Sequence, residues 1–424
     1  MMRALFSGVA GLKNHQVRMD VIGNNVANVN TVAFKSGRVT FKEGFAQLLQ
    51  GAGRPQDAQG GTNPRQVGLG MQVGSIDTVF TQGNLETTGV TTDLAIQGDA
   101  FFIVSKGSET SYTRAGNFNV DAEGRMVNST NGYRVQGRMA TDGVLGQTMS
   151  DIVIPVGLQA AASQTTRVTA GGNLDASAAI GAESSVEAPI SVYDSQGNVH
   201  ELTLILTKTA ANEWNWTVDP TALGLTAGEI TDNDGDAIVG GGTLTFSGTT
   251  GLLTDPATNP SISFTPPGGG APMTLEVDFG GGNINGMTQF AGMSSATLQE
   301  QDGYEAGTLQ SYNIDSTGTI IGSFSNGNSM ILGQIGLAYF NNPGGLVRTG
   351  DNLYSTSANS GEVQLSYASE DGRSAIAAGT LEMSNVDLTQ EFTNMIVAQR
   401  GFQANGRVIT STDEMLQEVV NLKR

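Results

Sequence analysis

Two histidines, forty Asp/Glu side chains and no cysteine set the limits on what chemistry this 424-residue chain could do. Without cysteine there are no thiol nucleophiles, disulfide frameworks or zinc ribbons. His200-Glu201 opens like a zinc-protease helix, but the position that needs the second histidine is Leu204, so the metal pair is missing. Asp232-Asn233-Asp234-Gly235-Asp236 looks calcium-like. Setting Gly235 at the invariant loop glycine puts Ile230 at the first ligand position and Gly241 at the twelfth, and both positions need carboxylates. A solvated acidic turn is the plainer reading. There is no Gly-Lys pair for a phosphate loop and no serine in a G-x-S-x-G elbow. No catalytic residue, cofactor site or metal site is expected, and the chain reads as a non-enzyme.

With little chemistry to position, the elements themselves carry the argument. The formal net charge is −19, which excludes the basic footprint of a nucleic-acid binder. The charge is uneven: residues 1–50 hold six Lys/Arg against two Asp/Glu, and residues 386–424 hold four against five. The acidity therefore lies between near-neutral ends. No apolar run is long enough to insert in a membrane. Arg3 before Leu5, Phe6 and Val9 mimics a short secretory leader but lacks a small-residue cleavage site, so no cleaved signal is expected.

Both ends read as helices. A 4–3 spacing picks out Leu5, Val9, Leu12 and Met19 at one end, and Leu388, Phe392, Met395, Phe402, Ile409, Leu416 and Val420 at the other. Such a stripe drives helix pairing. Gln16, Gly23, Gln399, Gly406 and Asp413 interrupt it, so each helix is expected to be marginal alone and completed by other chains. Ser384 and Asp387 suggest a capping box before Leu388. Between the ends, short alternating runs cut by Gly, Asn and Asp read as β-structure. Phe101-Phe102-Ile103-Val104 is a buried strand, and Asp121–Gly124 and Asn131-Gly132 are hairpin turns. The expected architecture is α+β. Long terminal helices pair as an N/C coiled coil (1–30 with 385–424), an extended linker or mobile loop covers 31–74, an inner β module covers 75–150 with 290–384, and an outer sandwich- or barrel-like β module covers 151–289.

Particular motifs then add a resemblance. Asn24-Asn25-Val26-Ala27-Asn28-Val29-Asn30-Thr31, followed by Ala33-Phe34-Lys35, resembles the N-terminal signature of bacterial flagellar rod and hook proteins. Ser384-Asn385-Val386-Asp387-Leu388 and Gln399-Arg400-Gly401-Phe402-Gln403-Ala404-Asn405 are similar to the C-terminal one, and Asp93–Phe102 with Tyr112–Phe118 to the first β module. Asp99-Ala100 and Gly401 depart from the usual pattern. The insert 151–289 is longer than rod members carry and places the chain with the hook branch. The resemblance implies a self-assembling tube that bends as a universal joint and transmits torque from rod to filament. It implies an extracellular place in the flagellum, export by the flagellar type III apparatus without a cleaved signal, and as partners itself, the distal rod protein, the hook cap protein and the hook–filament junction protein. The alternatives are a distal rod protein of the same family and a secreted β-rich adhesin or carbohydrate-binding protein.

Overall fold

The computed structural model describes residues 2–422 except 56–59, 156, 227, 232–240, 257, 269 and 371; the acidic turn 232–236 lies outside the described residues. Two helices flank the β-structure: α1 (Met2–Ala27) and α2 (Leu388–Asn421). Neither is long and apolar enough to cross a membrane. Among the described residues no group of three or more His, Asp or Glu could hold a metal ion. The chain divides into two compact units, one of residues 1–156, 312–322 and 330–424, the other of 157–311 and 323–329.

In the first unit the apolar run Phe101–Lys106 forms a strand that pairs antiparallel with Glu109–Thr113 on one side and meets Leu337 and Ala338 on the other. A strand buried on both faces reads as a continuous apolar run, and Phe101 to Val104 are all at most 1% exposed. Phe101, Ile103, Tyr112, Ala338, Phe340, Leu346 and Tyr354 form one cluster, with Phe101 edge-on to Phe340 at 5.6 Å. The two predicted turns are present: Gly124 and Gly132 take φ of +81° and +69°, a conformation that favours glycine. Asp121 Oδ1 accepts from the Glu123 and Arg125 amides.

The stretch expected as a linker carries paired strands. β1 (Gly37–Glu43) pairs antiparallel with β4 (Met71–Thr78), and β2 (Ala46–Gln50) with β3 (Arg65–Gly68). Alternation in Val39-Thr40-Phe41 and in Met71–Ile76 builds the first ladder. The Gly-rich segment between them masks that alternation in the sequence.

The second unit is a sandwich. One antiparallel sheet runs through Val186–Tyr193, Val199–Ala210, Glu213–Val218, Gly242–Phe246 and Leu253–Asp255. The other is centred on Arg167–Asp175, which pairs parallel with Met273–Asp278 and Met287–Phe290 and antiparallel with Thr297–Gln301. Alternate residues of both sheets, including Leu204, Trp214, Trp216, Phe246, Ile262 and Leu275, share one core, as facing sheets require. Gly280–Gly282 lies in the turn between two strands of the second sheet, Met273–Asp278 and Met287–Phe290. The chain stays in this unit to Ser311, because Thr297–Gln301 is hydrogen-bonded to Arg167–Asp175 and Asp302 caps the Thr166 and Arg167 amides at 2.8 and 3.0 Å.

Two aspartates hold this sandwich's connections. Asp194 Oδ1 accepts from the Gln196 and Asn198 amides, and Oδ2 from the Asn198 side chain at 2.9 Å. Burial pushes the Asp194 carboxyl up, but these bonds and His200 at 3.2 Å outweigh it and hold it well below the usual range. Burial likewise opposes, and hydrogen bonds from Thr166 and Arg167 overcome, so that Asp302 is also lowered. A carboxyl lowered in the folded state stabilises above its unfolded value and loses that contribution as pH falls through its folded value. Both tryptophans of the chain, Trp214 and Trp216, lie in this core. Denaturant midpoints read by tryptophan emission should therefore hold near neutrality and fall steadily once pH drops below about 4; Asp194→Asn should flatten that fall.

Candidate assembly interface

α1 and α2 run antiparallel. A Cβ built on Gly8 would lie 3.1 Å from Ile409, one on Gly11 2.6 Å from the Asn405 carboxamide, and one on Gly401 2.6 Å from the His15 ring. Arg18 donates to Asn394 Oδ1 at 3.2 Å and Asn25 to Glu391 at 3.4 Å further along. The buried residues of the helices are Gly8, Gly11, Asn14, Ile22 and Asn25 on α1 and Ala398 and Thr412 on α2. Small side chains let two backbones approach closely, so the seam inside one chain is a glycine face.

The predicted apolar stripe lies only partly on that face, where Ile409 packs against Gly8. Leu5, Leu12, Met19, Met395, Ile409 and Leu416 are half-buried. Val9, Leu388, Phe392, Phe402 and Val420 are exposed, the last at 68%. Phe6, Ile396, Val397, Val408, Met415 and Val419 add to the exposed apolar surface. A helix that is apolar beyond one face is normally buried.

The N-terminal signature and Ser384–Leu388 gather at the root of the helices, while Gln399–Asn405 lies further along α2 opposite Gly11 and His15. Asn25, 1% exposed, both donates to the Gly37 carbonyl and accepts from the Gly37 amide, each at 2.8 Å. Asn385 accepts from the Ser36 amide and donates to the Val79 carbonyl, each at 2.8 Å. Asn28 donates to the Asn24 carbonyl and accepts from Thr31, closing the end of α1. Asp387 is the N-cap of α2, accepting from the Thr389 and Gln390 amides. That corrects the capping box: Ser384 instead accepts weakly from the Val386 amide at 3.4 Å. Val386 is half-buried, while Ala27, Asn24, Gln399, Arg400 and Ala404 are exposed. Asn405 donates to the Gly401 carbonyl.

Beneath this root lies a buried charge cluster. Lys35 Nζ donates to Glu382 Oε1 at 2.7 Å, both side chains 0% exposed, and to the Thr81 carbonyl at 2.9 Å. The Gly83 amide also donates to Glu382 Oε1, and Arg114 lies 3.7 Å from Oε2. Burial pushes the Lys35 ammonium down and Glu382 pulls it partly back. Arg348 donates to the Lys35 carbonyl and stands over the Phe34 ring at 5.2 Å. Asn25, Phe34, Lys35, Asn385 and Asp387 lie together here as their motifs grouped them, whereas Glu382, Asn14, Gly8 and Gly11 stood in no motif, and Arg114 and Gly401 stood in one without being marked as a charge partner or a seam position. The usable signals were a lone lysine inside an uncharged motif and Gly8-x-x-Gly11 on a helix.

The glycine seam gives a paired expectation. Gly401→Ala should destabilise α2 docking by roughly 1–3 kcal/mol, because the His15 ring must move. Gly406→Ala, with nothing within 4 Å of the added carbon, should stabilise α2 by about 1 kcal/mol. Helix content against urea, followed by circular dichroism, separates the two; equal effects would contradict the seam.

Four family profiles match: "Flagella basal body rod protein" over residues 5–35, "Flagellar hook protein FlgE/F/G D1 domain" over 95–176, "Flagellar basal body protein FlaE D2 domain" over 173–304 and "Flagellar basal body rod FlgEFG protein C-terminal" over 377–422. The chain is 44% identical to the flagellar hook protein FlgE of Borreliella burgdorferi and 43% identical to that of Treponema pallidum, each over 100% of both chains. It is 32% identical to the flagellar basal-body rod protein FlgG of Bacillus subtilis, again over 100% of both.

Proposed function

The chain belongs to the flagellar hook protein family, as a structural subunit of the hook outside the cell, and from that premise we propose how its parts divide the work of a bending, torque-bearing tube. The glycine-seamed helix pair packs its exposed apolar residues against sister copies and closes the tube's inner wall. Burying each of Phe392, Phe402 and Val420 contributes about 1.5–3 kcal/mol. The β2–β3 ribbon, every residue of it exposed, is stable only when covered, since an isolated two-stranded ribbon is marginal in water; a neighbouring copy covers it. The distal rod protein, hook cap protein and hook–filament junction protein meet the tube's ends. The subunit leaves the cell unfolded through the type III apparatus.

The outer unit is the sliding surface. Residues 157–311 and 323–329 hold seventeen Asp/Glu against two Lys/Arg. Of those two cations, Lys208 is buried on the Ala176 and Ala178 carbonyls and Arg167 is paired with Asp278. Like-charged polar surfaces separate and re-form contacts easily.

The observation that carries the reading is the row of exposed apolar side chains on α2 in a chain similar to hook proteins end to end. Electron microscopy of purified protein tests it: hollow curved tubes are expected. A chain that stays monomeric at every concentration would contradict it, and straight rigid tubes would favour the distal-rod alternative. The lowest polymerising concentration should fall as salt rises from 0.01 to 0.1 M, where the screening length shrinks from about 30 to 10 Å. Indifference to salt would remove the charge argument.

A further inference from the structure

We propose that His15 is a proton-sensitive latch on the helix pair: α2 stays docked on α1 while the His15 ring is neutral and is released when the ring takes up a proton. The inference rests on the reading that α1 and α2 form the assembly element.

His15 sits where three elements meet. On the α2 side its ring is so close to Gly401 that a Cβ there would lie 2.6 Å from both Cε1 and Nε2. On the β1 side Phe41 meets it edge-on at 5.9 Å. Nδ1 is shut off from solvent and has no hydrogen-bond partner. A neutral imidazole with its proton on Nε2 leaves Nδ1 as an unused acceptor, which is tolerable. Protonation turns Nδ1 into a charged donor with nothing to receive it, and the cost of an unmet buried donor rises when it is charged.

The surrounding charges point the same way. Burial first, then the Arg18 guanidinium one turn along α1, push the ring's affinity for protons down. From α2 the ring meets bare backbone at Gly401, whose neighbour Arg400 is exposed; from β1 it meets Phe41, next to exposed Lys42. No carboxylate is among the groups acting on the ring. A base held below its free value in the docked state, and near 6.5 when released, binds more protons when released. Docking is therefore full above about 6.5 and weakens as pH falls below it. Protonating the excess carboxylates has the opposite sign, since it relieves repulsion between copies.

The test uses the full chain in low salt, with hydrogen exchange of the α2 amides compared between parent and His15→Gln at pH 7.5 and 5.5. Taking the ratio at one pH cancels the intrinsic pH dependence of exchange. The parent-to-variant ratio should rise about threefold or more at the lower pH, and His200→Gln should behave as the parent does. A ratio unchanged between the two pH values overturns the latch. Should His15→Gln leave α2 unprotected at pH 7.5, His15→Phe replaces it, keeping an apolar ring against Gly401. Polymerisation at pH 7.5 is scored alongside: tubes with a flat ratio sink the latch alone, and absence of tubes sinks the assembly reading while the monomer ratio still judges the latch.

Discussion

Glu382→Ala is expected to lower the unfolding free energy of the first unit by about 3–5 kcal/mol, the cost of breaking a buried ion pair by removing one partner. The size follows from what the carboxylate faces. Its Oε1 receives both the Lys35 ammonium and the Gly83 amide, and Arg114 stands 3.7 Å from Oε2. Alanine leaves Lys35 with only the Thr81 carbonyl and Arg114 with no carboxylate within 4.0 Å among the described residues. Two buried cations would then face each other, and neither can reach water. Glu382→Gln keeps an acceptor for both donors and should cost less. Because Trp214 and Trp216 report only on the outer unit, the tryptophan transition should stay in place while far-ultraviolet dichroism shows an earlier step. A Glu382→Ala chain within 1 kcal/mol of the parent would mean the cluster is not what locks the helix root.

Phe392→Ser combined with Val420→Ser should do the reverse: leave the monomer intact and stop it polymerising. Both side chains are already exposed in one copy, at 51% and 68%, and exposed positions away from special features change stability by about 0.5 kcal/mol or less. In the tube each buries the share of its apolar side chain that is still exposed, together about 2–4 kcal/mol. The critical concentration should therefore rise by roughly one to three orders of magnitude. Sedimentation measures it directly, and urea unfolding confirms that the monomer is unchanged. Unaltered polymerisation would place these residues away from the contacts between copies.

What the sequence disclosed and withheld has a physical pattern. Local signals were legible: Gly124 and Gly132 mark their turns because a positive φ needs glycine there, and Phe101–Val104 declares a strand buried on both faces. The helices were legible from their apolar spacing, but their seam was not. Glycine reads as an interruption of an apolar stripe, whereas at Gly8, Gly11 and Gly401 its missing side chain is what brings the backbones together. Of the stripe that was legible, Val9, Leu388, Phe392, Phe402 and Val420 are still exposed in one copy. Lys35 could be singled out but not paired, since Glu382 lies 347 positions away and a ladder in one dimension carries no such distance. The return of Thr297–Gln301 to Arg167–Asp175 was hidden for the same reason, so the outer module, expected to end at 289, runs on to Ser311.

The proposed tube requires a helix pair that is incomplete in one copy and completed by its neighbours. Hydrogen exchange of the full chain, first as monomer in low salt and then as salted-out polymer, addresses it directly. Amides of Leu388–Asn421 should exchange by frequent opening in the monomer and become strongly protected in the polymer, while Phe101–Lys106 is protected equally in both. Helix amides already as protected in the monomer as that core strand, with no gain on polymerisation, would contradict it.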